Sequence, residues 1–224
     1  MTRGILIIGN ESSVLSAIAA QAAERVQSFA SALIPNRLPM REKIVPIKTD
    51  NNAAAINLSW NPSSPISART LVLAAENRLK QINDAILVCL PPAVFKTTDV
   101  LEPDEIEIMT DDNIKGWFFL IRELILYFRR FGKGSLSFVA PEINTVGKNI
   151  QTDLLGPATA SCFTNFAGAV LASSASEPFL TLGFSGSETG EKTEFASWLF
   201  KIVDEGSRKY SGRWNKFSKI SFLR

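Results

Sequence analysis

The chain of 224 residues has no histidine and only two cysteines, Cys89 and Cys162. Without histidine, neither a Ser-His-Asp nor a Cys-His catalytic system can be assembled. A zinc site built from Cys and His needs about four such ligands, so that class is excluded too. A carboxylate site for magnesium or calcium stays open but has no signature in the sequence. Both cysteines lie in apolar or small-residue stretches and read as buried, reduced thiols. No apolar run reaches the ~18 residues of a membrane span. The N-terminal run GILIIG is too short for a signal peptide, so a cytoplasmic protein is expected. The net charge of +2 is too mild to point to nucleic acid. The basic segment 201–224, interleaved with Trp214, Phe217 and Phe222, reads as a last helix and strand with a solvated side.

What is present is globular. Hydrophobic residues make up 46% of the chain and charged residues 21%, enough for one α/β domain over 1–224. Residues 4–9 end in glycine and look like a buried parallel strand. Residues 12–28 follow with Val14, Ile18, Ala22 and Val26 on one helical face, the opening of a βαβ unit. Further strands are predicted at 29–34, 43–47 (an edge, because of Pro46), 85–90, 135–139, 179–184 and 214–222. Helices are predicted at 67–80, 113–131, 153–174 and 191–207. The acids Asp99, Glu102, Asp104, Glu105, Glu107, Asp111 and Asp112 read as a solvated loop leading into a helix N-terminus, where they suit the dipole. Alternating strands and helices predict a Rossmann-like, doubly wound parallel sheet of about seven strands in an α/β/α sandwich.

Ile8-Gly9-Asn10-Glu11-Ser12-Ser13-Val14-Leu15, the first of six such segments, resembles the glycine-rich turn of the short-chain dehydrogenase/reductase family. Asn83-Asp84-Ala85-Ile86-Leu87-Val88-Cys89-Leu90-Pro91 resembles its fourth strand. Asn113-Ile114-Lys115-Gly116-Trp117-Phe118 resembles the start of its fifth helix, and Gly132 to Val139 its fifth strand. Ser185-Gly186 with Thr189, and Tyr210-Ser211-Gly212-Arg213-Trp214, resemble its last loops. The resemblance implies a dinucleotide site drawing on Gly9, Asn10, Ser13, Asn36, Arg37 and Leu90, and a catalytic position at Asn113.

The chemistry that the resemblance implies is largely missing. That family uses a tyrosine as general acid/base, with its pKa lowered by a lysine four residues on. The two tyrosines here, Tyr127 and Tyr210, are followed at that distance by Phe131 and Trp214. By alignment, the tyrosine, lysine and serine positions fall on Pro157, Ser161 and Pro141. Only Asn113 is retained. It does not titrate, and it also reads as an N-cap of helix 113–131. Within the first 115 residues the only glycines are Gly4 and Gly9. The later two glycines of the phosphate loop fall on Ser13 and Leu15, and Glu11 brings a negative charge. No cofactor is therefore expected with assurance. The neutral-then-basic pair Asn36-Arg37 favours NADP over NAD if either binds; it also reads as a plain turn.

Helix 113–131 is apolar on more than one face, and helix 153–174 is rich in small residues. In the family such helices pair subunits, so a homodimer or homotetramer through these two helices is expected. No nucleic acid and no membrane is expected as a partner. Three functions follow: a non-catalytic binding or assembly module, a divergent NAD(P)-dependent oxidoreductase using Asp111, Asp112, Lys115 or Lys148 as acid, or a structural subunit of an active dehydrogenase.

Overall fold

The computed structural model describes residues 3–35, 37–38, 54–141, 153–186 and 192–217. Its strands are β1 (Ile5–Asn10), β2 (Ser28–Ile34), β3 (Ala54–Leu58), β4 (Asp84–Val88), β5 (Ser135–Pro141), β6 (Leu180–Gly186) and β7 (Arg213–Lys216). They form one seven-stranded sheet in the order β3-β2-β1-β4-β5-β6-β7. Every pairing is parallel. The helices are α1 (Ser13–Ala23), α2 (Pro65–Leu79), α3 (Pro103–Thr110), α4 (Gly116–Phe131), α5 (Leu155–Ala172) and α6 (Lys192–Glu205).

The two-residue period of a strand sorts the core into two layers. On β1, Leu6 and Ile8 face α2, α4 and α5, while Ile5 and Ile7 face α1 and α6. On β4, Ala85 and Leu87, with Cys89 just past its end, take the first face and Ile86 and Val88 the second. A sheet covered on both faces must be apolar on both, which is why these strands read as continuous hydrophobic runs. Such a parallel sheet with helices on both sides is the doubly wound fold that the alternation predicts.

Several local expectations change. Strand β3 occupies the edge that 43–47 was expected to form, and 43–47 lies outside the described residues. Strand β7 covers Arg213–Lys216, and the rest of the expected 214–222 strand from Ser218 on also lies outside them. The acidic segment is not a loop into a helix starting at 113. Pro103 opens α3 at its first turn, where a missing N–H costs nothing. The Glu105 side chain reaches back there to accept the Glu102 backbone N–H at 3.1 Å, one half of a capping box. A π turn, Asp111–Lys115, then joins α3 to α4 without a break. Cys89 is buried as expected, whereas Cys162 is only partly covered; both thiols are free.

Candidate functional site

In an open α/β sheet the ligand crevice lies beyond the carboxyl ends of the strands, where the chain order reverses. Here that point is β1, flanked by β2 on one side and β4 on the other. Gly9 and Asn10 end β1, and Leu90 follows β4. Gly9 sits directly opposite Val88 in the β1–β4 register. A Cβ at Gly9 would lie 2.5 Å from the Val88 carbonyl oxygen and 2.8 Å from the Val88 Cβ. The glycine is thus demanded by strand packing. The buried Leu15 side chain closes the same spot from α1, its Cδ1 3.1 Å from that Cβ position.

The backbone N–H groups at the start of α1 are the natural anion donors of this fold. Ser12, not Ser13, is the N-cap, and its Oγ accepts from the Leu15 N–H at 3.1 Å. Ser13 and Glu11 are exposed.

Asn10 lies over the end of the sheet, buried, and uses both halves of its amide. Its Oδ1 accepts the Leu90 backbone N–H at 3.0 Å, and its Nδ2 donates to Asn113 Oδ1 at 2.7 Å. Because a backbone N–H can only donate, Leu90 fixes which way the Asn10 amide faces. Asn113 is 3% exposed and its Nδ2 points to Met109 Sδ at 3.7 Å. Asn113 is therefore no N-cap. It sits inside the π turn, with helix on either side, and ties that turn to the end of β1.

Its neighbour Asp112 is 1% exposed and is the partner of Arg37. The Arg37 guanidinium donates from Nε at 2.9 Å and from Nη2 at 2.5 Å to the two carboxylate oxygens, a bidentate fork. The carboxylate holds the Arg37 guanidinium above its ordinary pKa. Arg37 follows β2 and Asp112 lies in the chain that follows β4, so the bridge reaches across the carboxyl end of β1 between them. Asn36 lies outside the described residues.

The remaining candidate acids and bases are occupied or distant. Lys115 Nζ donates to Asp111 Oδ1 at 2.7 Å, one helical turn away. Lys148 lies outside the described residues. The Tyr127 hydroxyl accepts the Ile82 N–H at 2.8 Å. Ile82 precedes β4, so this hydroxyl is at the amino edge of the sheet, opposite the crevice. Burial pushes the phenol up, against a downward pull from the Ile82 N–H. Tyr210 precedes β7 and lies at that same edge. Pro157 and Ser161 are in the first turns of α5, and Pro141 ends β5. Among the described residues no group of three or more Asp, Glu or Cys gathers as a metal cage, and no helix is long and apolar enough to cross a membrane.

The structure thus brings together Gly9, Asn10, Leu90, Asn113 and Arg37 from the expected set, turns the candidate acid Asp112 into the ion-pair partner of Arg37, and adds Met109. The sequence signal for Asp112 was masked by the acids around it. Nothing in the spacing marks which carboxylate of such a run turns inward.

No family model matches the sequence, and no curated protein matches it significantly. Solved structures do match in three dimensions. A short-chain type dehydrogenase/reductase from Mycobacterium marinum superposes with TM-score 0.76 at 13% identity, covering 96% of this chain and 93% of its own. A short chain dehydrogenase from Mycobacterium smegmatis gives TM-score 0.75 at 10% identity, with coverage of 98% and 93%. An NADH-dependent reductase, A1-R', complexed with NAD, gives 0.73 at 12% identity, with coverage of 96% and 95%. The chain has the fold of these dehydrogenases over nearly its whole length. Identities this low carry the fold alone.

Proposed function

We propose that this chain uses the short-chain dehydrogenase fold as a non-catalytic binding or assembly module. The observation that carries this reading is that the side chains at the mouth of the crevice are bonded to one another. Asn10, Asn113 and the Leu90 N–H form one hydrogen-bonded strut over the end of β1. The Arg37–Asp112 fork forms a second. A dinucleotide would have to displace Leu15 from Gly9 and compete with Ser12 for the α1 N-terminus. The nearby cation that sequence assigned to a 2′-phosphate, Arg37, already has its Nε and Nη2 engaged by Asp112. The residues at hand do not fit the cofactor, and no hydride-transfer step is derived through it. The absence of Tyr-x-x-x-Lys agrees, since both tyrosine hydroxyls belong to the far edge of the sheet.

Titrating NADH and NADPH into the protein, by fluorescence or calorimetry, tests the reading. No saturable binding is expected up to millimolar cofactor, an affinity weaker than about −4 kcal/mol. Binding in the micromolar range would overturn it and favour the divergent oxidoreductase.

Assembly through α4 and α5 belongs to the same reading. Leu120, Ile121, Leu124 and Phe128 of α4 are fully buried within the chain, and α2 packs on this helix. Part of the second apolar face is thereby covered intramolecularly. What remains is Phe118, 42% exposed and stacked on Phe166 at 3.9 Å, together with Leu126, 45% exposed. A second copy pairing α4 and α5 would cover both. Sedimentation at micromolar concentration giving a clean monomer would remove the dimer.

A further inference from the structure

A second concave site lies at the opposite end of the molecule, along the amino edge of the sheet. It is a cleft of about 280 Å³ formed where α1 and α2 end and β1 and β2 begin. Four cations line it, Arg3, Arg25, Arg78 and Lys80, and among the described residues no acidic side chain does. The geometry points to a binding site for a small phosphate-bearing anion of the diphosphate class.

The cations fall into two pairs with different roles. Arg3 and Arg25 are pinned. Arg3 donates from Nε to Asp84 and from Nη1 to Asp204, both at 2.5 Å. Arg25 donates from Nε to Asp204 at 3.0 Å and from Nη1 to the Gln21 carbonyl and side-chain oxygens. Each guanidinium is thus held through its Nε and one terminal nitrogen, Nη1, and these partners do not use Nη2. Planar forks fixed in this way lose little freedom on meeting a phosphate. Arg78 and Lys80 are exposed and have no acidic partner among the described residues. They are the mobile half of the clamp.

Lys80 supplies an independent sign. It caps α2 with φ +69°, and among the described residues it is the one non-glycine at positive φ. Glycine is the ordinary occupant of such a position. A long cationic side chain held there at a backbone cost is the kind of strain that accompanies binding sites. The competing explanation is that Arg25, Arg78 and Lys80 merely complement the negative ends of two helices. That accounts for three charges, but not for Arg3, for the positive φ at Lys80, or for the concave shape. Charge balance agrees: Asp84 and Asp204 offset two of the four cations, and Glu24 approaches Arg25 only at 4.0 Å. Among the described residues the site stays positive.

The test is calorimetric titration of inorganic pyrophosphate into the full chain at low ionic strength. Saturable binding is expected, stronger than for sulfate and weakening as salt rises. In the Arg78→Gln/Lys80→Gln variant the affinity should fall about tenfold or more, with the fold intact because neither residue holds a described partner. Lys80→Gly should bind more weakly yet unfold at higher temperature, since it relieves the positive φ. Arg122→Gln/Lys133→Gln removes two exposed cations elsewhere and should leave the affinity unchanged. No heat with the native chain, unaltered affinity in the Arg78/Lys80 variant, or an equal loss in the Arg122/Lys133 variant would each overturn the assignment.

Discussion

The strut over β1 can be measured with a double-mutant cycle on Asn10 and Asn113. Asn113→Ala removes the oxygen that accepts from Asn10 Nδ2 and leaves that donor in a site where Asn10 is 6% exposed. A stranded buried donor costs about 1–3 kcal/mol, and the lost side-chain volume adds to it. A total of about 2–3 kcal/mol is expected. Asn10→Ala strands two groups, the Leu90 N–H and Asn113 Oδ1, and should cost about 3–4 kcal/mol on the same scale. In the double variant only the Leu90 N–H remains unpaired, so the cost of losing Asn113 should nearly vanish once Asn10 is gone. The coupling energy is then about 2 kcal/mol, within the range found for directly bonded pairs. Urea denaturation gives each free energy, and for a domain of this size Asn113→Ala should melt about 4–12 °C lower. An N-cap role makes a different forecast. Asn113→Ala would then cost about 1 kcal/mol whatever occupies position 10, and Asn113→Ser would be almost silent. Additivity within about 0.5 kcal/mol, or equal costs for the two single changes, would refute the strut.

Gly9→Ala should destabilise by about 3 kcal/mol without touching any ligand, because its methyl meets the Val88 carbonyl at 2.5 Å in a paired strand; chemical denaturation checks it. Arg37→Gln should cost more than Asp112→Asn, about 2 against about 1 kcal/mol. The first strands a buried carboxylate, while the second leaves an arginine that is 43% exposed on its side chain and reaches water; paired urea curves give the order. The Arg129 guanidinium holds the Glu177 carboxyl below its ordinary value of 4.5. A depressed acid contributes stability that is present above its unfolded value and is lost as pH falls through its folded one. The stability gap between the native chain and Glu177→Gln should therefore be full above about pH 4.5 and narrow in more acidic buffer; a gap independent of pH down to pH 3 would contradict it.

The fold was legible because its central strands have one environment on both faces. Ile5 to Ile8 and Ala85 to Val88 are apolar throughout, and their shortness, with Gly9 and Pro91 closing the runs, reads as strand rather than buried helix. The edge was not legible. Ala54–Leu58 is short, carries Asn57, and pairs along one side only, so nothing in its pattern demands burial. The start of the long helix was misplaced because the acids around Pro103 read as a solvated loop. The proline at the first turn and Glu105 three residues after Glu102 were the signals to weigh. At the site, Gly9, Asn10 and Asn113 stood out by position, but their partners depend on tertiary contacts. Whether Arg37 meets a phosphate or a carboxylate is decided by Asp112, 75 residues further along the chain.

The π turn at Asp111–Lys115 has a consequence for how helix 103–131 presents itself. Each residue of an α-helix advances its side chain by roughly 100° around the axis. A turn closed one residue wider shifts everything after it by about that angle relative to everything before it. The segment from Pro103 to Phe131 is thus a single rod with two phases. Met109 and Glu105 set the inward direction ahead of the turn; Trp117, Leu120, Ile121, Leu124 and Phe128 set another beyond it. Deleting one residue from the turn would restore a uniform winding and pull those directions out of alignment, rotating Asn113 away from β1 or the aromatic side chains away from the sheet. The widened turn works as a phase coupler, letting one rod meet two surfaces that no evenly wound helix could face together.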